Sequence, residues 1–304
     1  MNENEFLKKV VPLFKQGNDI VVGPGDDCAV LKINSSNDDE YLLYAVDQVV
    51  SDIHYLFNED DPELVGRKLV KRNVSDIASM GGEPTSAVIT AAVNSNFERL
   101  EKIYSGIARE AEVWNMSVCG GDYSSVKPRN LEVFTLSILG KVKKEKLCLR
   151  ANAKAGDLIF ATGKFGNSFN SKHHLTFTPR LEQSRFLAGK FTNAMMDVSD
   201  GLLMDLKRFA EASKVTASLF TDKIPLRSGT KSLKHALTDG EDYELIFSVR
   251  PELECSLIKA WPFKDVELSR IGMVLNHIDG VCLKDYKTNA DLLADGHLGF
   301  EHPL

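Results

Sequence analysis

No apolar run in this chain approaches the ~18 residues that a bilayer-crossing helix needs, which excludes a helical membrane span. Cysteine is scarce: five residues (Cys28, Cys119, Cys148, Cys255 and Cys282) with no C-x-x-C pair. That argues against a disulfide framework and against a thiolate metal site, and leaves cysteines in apolar runs as small core residues. Positive charge is short too. Lys and Arg number 37 against 43 Asp and Glu, a net charge of −6, and no strongly basic stretch stands out beyond 141–146. Nucleic acid is therefore not an expected partner. The first five residues are acidic and lack a signal-type apolar segment, so the expected location is cytoplasmic. There is no G-x-x-x-x-G-K-[ST] loop, no kinase catalytic-loop signature and no G-x-S-x-G elbow. Gly163-Lys164-Phe165-Gly166 does not qualify as a phosphate loop. A nucleotide bound here would be held through metal ions rather than by a Walker-type cradle.

What is present is an ordinary globular composition, 43% hydrophobic and 26% charged, in 304 residues, enough for about two domains. The charged stretch 141–146 lies between two strand-rich regions and divides the chain into 1–142 and 143–304. Apolar periodicity predicts an opening helix over 4–16, then strands over 20–22, 28–33 and 41–50 around a polar loop at 34–40. Asp61-Pro62 is a helix start, and that helix runs to Gly81-Gly82. A strand at 85–93, a helix at 97–114, a short buried strand at 116–119 and a strand at 131–142 follow. Beyond the boundary, strands are expected at 157–162, 194–198, 216–220, 243–249, 266–275 and 281–284. Helices are expected at 180–191 and 201–212, and Ile278-Asp279-Gly280-Val281 reads as a hairpin turn. Strands and helices alternating in both halves give an α/β (α+β) class.

Aspartates recur where strands should end. Asp26-Asp27 follow Gly23-Pro24-Gly25, Asp47 sits in the apolar run 41–50, Asp122 follows Gly120-Gly121, and Asp197 and Asp200 bracket Val198-Ser199. Asp76 lies in a helical pattern four residues after Arg72. Apart from Asp122 they have plain alternatives: a turn at Asp27, an edge position at Asp47, a helical ion pair with Arg72 at Asp76, an N-cap at Ser199 or Asp200. Gathered at one sheet edge they would repel one another unless a cation lay between them. Oxygen ligands that share bound phosphates are how Mg²⁺ is usually held. Glycines at 120 and 121 would let backbone N–H groups approach a phosphate. The residues thus point to a Mg²⁺-dependent enzyme of phosphates.

Taken in order, the segments resemble the thiamine-monophosphate kinase family, within the aminoimidazole ribonucleotide synthetase-like superfamily. The matching stretches are Gly25-Asp26-Asp27-Cys28, Val46-Asp47-Gln48 leading to His54-Tyr55, Asn73-Val74-Ser75-Asp76, Gly120-Gly121-Asp122, Ala155-Gly156-Asp157 with Thr162-Gly163, Asp197-Val198-Ser199-Asp200-Gly201-Leu202, and Gly240-Glu241-Asp242-Tyr243-Glu244-Leu245. The resemblance implies a two-domain fold whose N-terminal sheet closes a barrel in a homodimer, with a C-terminal α/β domain. It implies transfer of the γ-phosphoryl of ATP to thiamine monophosphate, giving thiamine diphosphate. By match, Asp27, Asp47, Asp76, Asp122, Asp197 and Asp200 would hold several Mg²⁺ ions. Gly121, Asp122, Arg150 and Ser199 would contact ATP. His54, Glu241 and Phe300 would contact the thiamine phosphate. Hydroxyl residues usual in the family before Asp47 are Ala45 and Val46 here, and Lys71-Arg72 replaces a small apolar pair. Two alternatives stand beside this reading. One is a sister ATP-dependent synthetase of the superfamily. The other is a nucleotide-binding regulatory protein with weakened turnover.

Overall fold

Runs rich in Val, Ile and Leu build two six-stranded sheets. The structure is a computed structural model describing residues 9–14, 16–33, 39–127, 129–294, 296 and 298–300. Residues 4–8 and 15 of the expected helix 4–16, and 34–38 of the loop 34–40, lie outside these residues. The described part of the former contains a 3-10 turn, Val11–Leu13.

The first sheet comprises β1 (Ile20–Val22), β2 (Ala29–Lys32), β3 (Glu40–Val50), β4 (Glu83–Val93), β5 (Ser117–Ser125) and β6 (Glu132–Lys143). Their spatial order is β1-β2-β3-β6-β4-β5, with β4 and β5 parallel and the other neighbours antiparallel. Helices α1 (Pro62–Ser79) and α2 (Phe97–Val113) complete this half. Asp61 caps α1 by accepting the Glu63 N–H at 2.9 Å. The two helices cross at paired glycines. A Cβ on Gly66 would lie 2.0 Å from the Ile103 carbonyl oxygen, and one on Gly106 would lie 2.0 Å from that of Glu63. The core takes alternate residues of the long strands, among them Leu43, Val49, Phe134, Leu136 and Ile138, together with Leu69, Val70 and Val74 of α1. On the opposite face Tyr44, Val46 and Val88 are exposed.

In β5 the structure departs from the sequence expectation. A short buried strand was expected over 116–119; instead nine residues, Ser117–Ser125, form an edge strand that is exposed throughout. Its parallel register against β4, not an apolar run of its own, carries it through the glycines to Ser125.

The second sheet comprises β7 (Leu158–Thr162), β8 (Met195–Val198), β9 (Thr216–Leu219), β10 (Glu244–Val249), β11 (Leu268–Leu275) and β12 (Leu283–Asp285), in the order β12-β9-β11-β7-β10-β8. Its helices are α3 (His173–Thr176), α4 (Leu181–Leu187), α5 (Leu202–Ser213), α6 (Leu233–Thr238) and α7 (Glu254–Ala260). Cores lie on both faces: along β7, Ile159 and Ala161 join the cluster with α5, while Leu158 and Phe160 join the one with Leu187 and Leu257. Helix α4 is shorter than expected because the chain turns at Gly189, whose φ is +74°. The turn at 278–281 forms, with Val281 N–H donating to the Ile278 carbonyl at 3.0 Å. An antiparallel bridge between Ile278 and Val281 closes it as a hairpin turn does, but among the described residues no strand pair extends from it, since β9 lies between β11 and β12. The Thr216 hydroxyl accepts from Ile278 N–H and donates to the Val281 carbonyl, which ties the turn to β9 instead.

Helix α1 bridges the two halves. Ser75 Oγ donates to Asp197 at 2.5 Å, and Ser184 Oγ donates to the Ala78 carbonyl at 2.5 Å. Among the described residues no helix is long and apolar enough to cross a membrane.

Candidate active site

That bridging position gathers acidic side chains from distant parts of the chain. Asp27 comes from the turn before β2, Asp47 from β3, Asp76 from α1 and Asp197 from β8. They are close enough to perturb one another. Burial pushes the Asp76 carboxyl well above its ordinary value, and Asp47, Asp197 and Asp27 push it further. Asp197, only 3% exposed, is raised well above by burial and then by Asp27, with Asp205 and Asp47 adding to it against the Ser75 hydroxyl. Asp47 is raised by burial, with Arg72 opposing and Glu241 and Asp200 reinforcing. The expected convergence of carboxylates therefore holds for these four, with Asp200 beside them.

Three arginines hold the rim. Arg72 grips both oxygens of Asp47, at 3.0 Å and 3.1 Å, so the helical pair with Asp76 offered by the spacing is not the one made. Arg150 donates to Asp26 through Nε at 3.2 Å and to Asp27 through Nη2. Burial, then Asp27, still lifts Asp26 to about 6. Arg208 pairs with Asp200 at 2.5 Å and with Asp205 at 2.8 Å. Asp205 Oδ2 also accepts the N–H groups of Ser199, Asp200 and Gly201 at 3.0, 3.0 and 3.2 Å. The amides ahead of α5 are thus held by a side chain of that helix.

Next to the acidic cluster is a cleft lined by His54, Arg72, Phe169, Ser199, Glu241 and Phe300. The loops meet through backbone bonds: Glu241 N–H to the Ser199 carbonyl at 2.6 Å and Phe300 N–H to the Asp200 carbonyl at 2.9 Å. His54 Nδ1 accepts the Val50 N–H at 3.1 Å, which puts the ring proton on Nε2. Lys68, fully buried, donates to the His54 carbonyl at 2.6 Å, pairs with Glu241 and lies 5.6 Å from the Phe169 ring centroid. Glu241 and Tyr243 are held at φ +58° and +50°, strained for residues with side chains, and the buried Tyr243 hydroxyl has no hydrogen-bond partner among the described residues.

Asp122 and Gly121 lie elsewhere in the chain. Asp47 pairs across the sheet with Leu136, Leu136 with Ile89, and Ile89 with Gly121, so Asp47 and the β5 site are three strands apart. At ~4.8 Å per strand that is roughly 14 Å. Strand alternation turns Asp122 to the face opposite Asp47. Gly121 has a packing reason as well, for a Cβ there would sit 2.0 Å from the Ile89 carbonyl oxygen.

The donor set fits Mg²⁺ in kind: it is all oxygen, and Asp27 Oδ2 is buried with no hydrogen-bond partner among the described residues. Among the described residues no group of three or more acidic, histidine or cysteine side chains is already arranged to hold a metal ion. The carboxylates at the rim are instead turned onto the arginines. Lys68, Arg72, Asp205 and Phe169 escaped the sequence reading as site residues. Only Asp205, a carboxylate within the apolar pattern of α5, carried a signal there.

Two family models match the chain, AIR synthase related protein, N-terminal domain, over residues 25–142 and the C-terminal domain over 151–280. Thiamine-monophosphate kinase of Rhodopirellula baltica is 33% identical over 290 residues, covering 90% of this chain and 89% of that protein. The Bacillus subtilis kinase is 29% identical across 99% of this chain and all of its own length. Among solved structures, AaThiL complexed with AMPPCP and TMP superposes with a TM-score of 0.81 at 25% identity, covering 99% of this chain and 97% of that one. The chain belongs to the AIR synthase related family and, within it, to the thiamine-monophosphate kinases.

Proposed function

We propose that the cluster and the adjoining cleft bind ATP and thiamine monophosphate side by side, and that the chain transfers the γ-phosphoryl group to the acceptor's phosphate. The bond from the γ-phosphorus to the β,γ-bridging oxygen breaks and a bond to an acceptor phosphate oxygen forms, releasing ADP and thiamine diphosphate. The observation that carries this reading is the convergence of Asp27, Asp47, Asp76 and Asp197 next to a cleft holding His54, Glu241 and Phe300.

The acceptor needs no general base. Its second pKa is ~6, so it is mostly dianionic near neutral pH. The obstacle is bringing two polyanions together in line. Asp27, Asp76, Asp197 and Asp200, with Asp122, would hold Mg²⁺, which would supply charge neutralisation there. Arg150 and Arg72 add fixed positive charge at the rim. Ser199 and Arg150 face the nucleotide, while His54 presents an Nε2 proton to the acceptor phosphate. Glu241 and the Phe300 and Phe169 rings provide a carboxylate and aromatic faces for a cationic thiazolium. Incubating the purified protein with ATP, Mg²⁺ and thiamine monophosphate should yield ADP and thiamine diphosphate in equal amounts. ATP binding with no thiamine diphosphate formed would overturn the assignment.

The position of Asp122 supports a homodimer. An edge strand exposed over all nine residues is a template for pairing, and the adjacent sheet face shows Tyr44, Val46 and Val88 to solvent. A second copy pairing along this edge would close the sheet and bring its Asp122 to the acidic cluster of the first. Mixed protomers test this. Asp122→Asn and Asp27→Asn should each be nearly inactive alone, and unfolding and refolding them together should restore up to about a quarter of wild-type activity, as random pairing of one intact site in half the dimers gives. No recovery on mixing would place Asp122 in its own protomer's site.

A further inference from the structure

Among the described residues Arg72 is the one cationic side chain that both lines the cleft and fully engages a carboxylate of the cluster. Its Nε and Nη2 take the two oxygens of Asp47 at 3.0 and 3.1 Å, in the parallel two-bond geometry that is the strongest between a guanidinium and a carboxylate. The remaining nitrogen, Nη1, donates to the Gln48 carbonyl at 2.9 Å and lies 4.0 Å from Glu241. The side chain is only 11% exposed. Meanwhile the strand beside Asp47 offers no other oxygen from a side chain on its cluster side: Ala45 and Val46 precede it, and Val46 is 60% exposed on the far face. A divalent ion at Asp47 would have to evict a guanidinium that already satisfies both carboxylate oxygens.

We propose that Arg72 is a built-in cation of this active site, filling the place at Asp47 that a metal ion would otherwise take, so that Asp47 serves to hold Arg72 against the transferred phosphate rather than to bind metal. The inference rests on the metal-assisted reading above. A guanidinium is suited to the task, since it is always charged, does not dissociate, and stabilises the charge spread over the equatorial oxygens in phosphoryl transfer. The site then needs one divalent ion fewer than its carboxylates would otherwise support.

Counting bound Mn²⁺ by electron paramagnetic resonance, in the presence of a non-hydrolysable ATP analogue, tests this without reference to turnover. Arg72→Ala should bind one more Mn²⁺ per protomer than the wild type, and Asp47→Asn should bind the wild-type number. An Arg72→Ala count equal to or below that of the wild type overturns the inference, as does loss of one ion in Asp47→Asn. The second variant decides the matter alone if the first does not fold. A wild-type protein that binds no Mn²⁺ with the analogue sinks the metal-assisted reading as well, whereas equal non-zero counts in Arg72→Ala and wild type sink this inference only.

Discussion

Asp197→Asn should lower turnover by at least ~10²-fold, the scale of a lost electrostatic contact in the transition state, and raise the melting temperature of the metal-free protein. Both effects follow from the same surroundings. Asp197 is 3% exposed, accepts one hydrogen bond from Ser75, and lies with Asp27, Asp205 and Asp47 near enough to raise its pKa well above the usual range. Without a cation, folding at neutral pH forces this carboxyl either to take up a proton or to stay charged among like charges, and each costs free energy. Asparagine keeps the shape and still accepts from Ser75, but has no charge to desolvate. The gain should disappear when Mg²⁺ and an ATP analogue are added, because the wild-type carboxylate then has a cation and the native state is stabilised by binding. Thermal unfolding with chelator and with Mg²⁺ plus analogue, alongside kcat, reads all three outcomes. Unchanged kcat at saturating Mg²⁺ would remove Asp197 from the machinery. A lower melting temperature in chelator would show that its charge is not the burden argued here.

This trade of stability for function also marks what could be read from the sequence. Asp47 in the middle of an apolar strand and Asp197 at the end of another are locally unfavourable placements, and such conflicts tend to mark functional sites. Asp61-Pro62 was legible as a helix start because capping is decided within four residues. The β5 edge was not, since a strand formed by register against β4 has no periodic signal of its own, and Cys119-Gly120-Gly121 reads as a buried end. Nor was the partner of Arg72. Spacing along α1 offers Asp76, while tertiary packing puts Asp47 within reach, and a guanidinium bonds the carboxylate that satisfies both of its arms. Lys68 was invisible for a similar reason. Its neighbours Arg67, Lys71 and Arg72 make it one basic residue of several in the helix, and only the fold brings His54, Phe169 and Glu241 to its ammonium group.

Stability of the metal-free protein should fall as pH rises from about 5 to about 7.5. Three buried carboxyls with ordinary values of 3.8 are displaced upward, Asp26 to about 6 and Asp205 and Asp242 to about 7. Burial is the main cause in each case, and like charge from Asp27, Asp200 and Glu244 adds to it for the respective groups. A group whose folded pKa is raised contributes stability that is full below its unfolded value and lost as pH climbs through the folded one, at about 1.4 kcal/mol per pH unit while only the native state holds the proton. Asp76 and Asp197, raised well above the ordinary value by burial and by like charge, act in the same direction. Two histidines oppose them. Burial lowers His173 from 6.5 to about 4 and lowers His174 as well, so their contribution grows as pH rises toward 6.5 and is then constant. Above 6.5 that opposition fades, but Asp26 has by then given up its proton and Asp205 and Asp242 are losing theirs, so the fall continues without steepening. Lys68, lowered to about 8 by burial, restores stability only at higher pH. Melting temperatures in chelator between pH 5 and 7.5 measure the slope, and Mg²⁺ with an ATP analogue should flatten it, because bound cations favour the ionised carboxylates that otherwise repel. A slope of the opposite sign in chelator would mean that the histidines outweigh the carboxylates, and that the acidic cluster is not the strained feature of this fold.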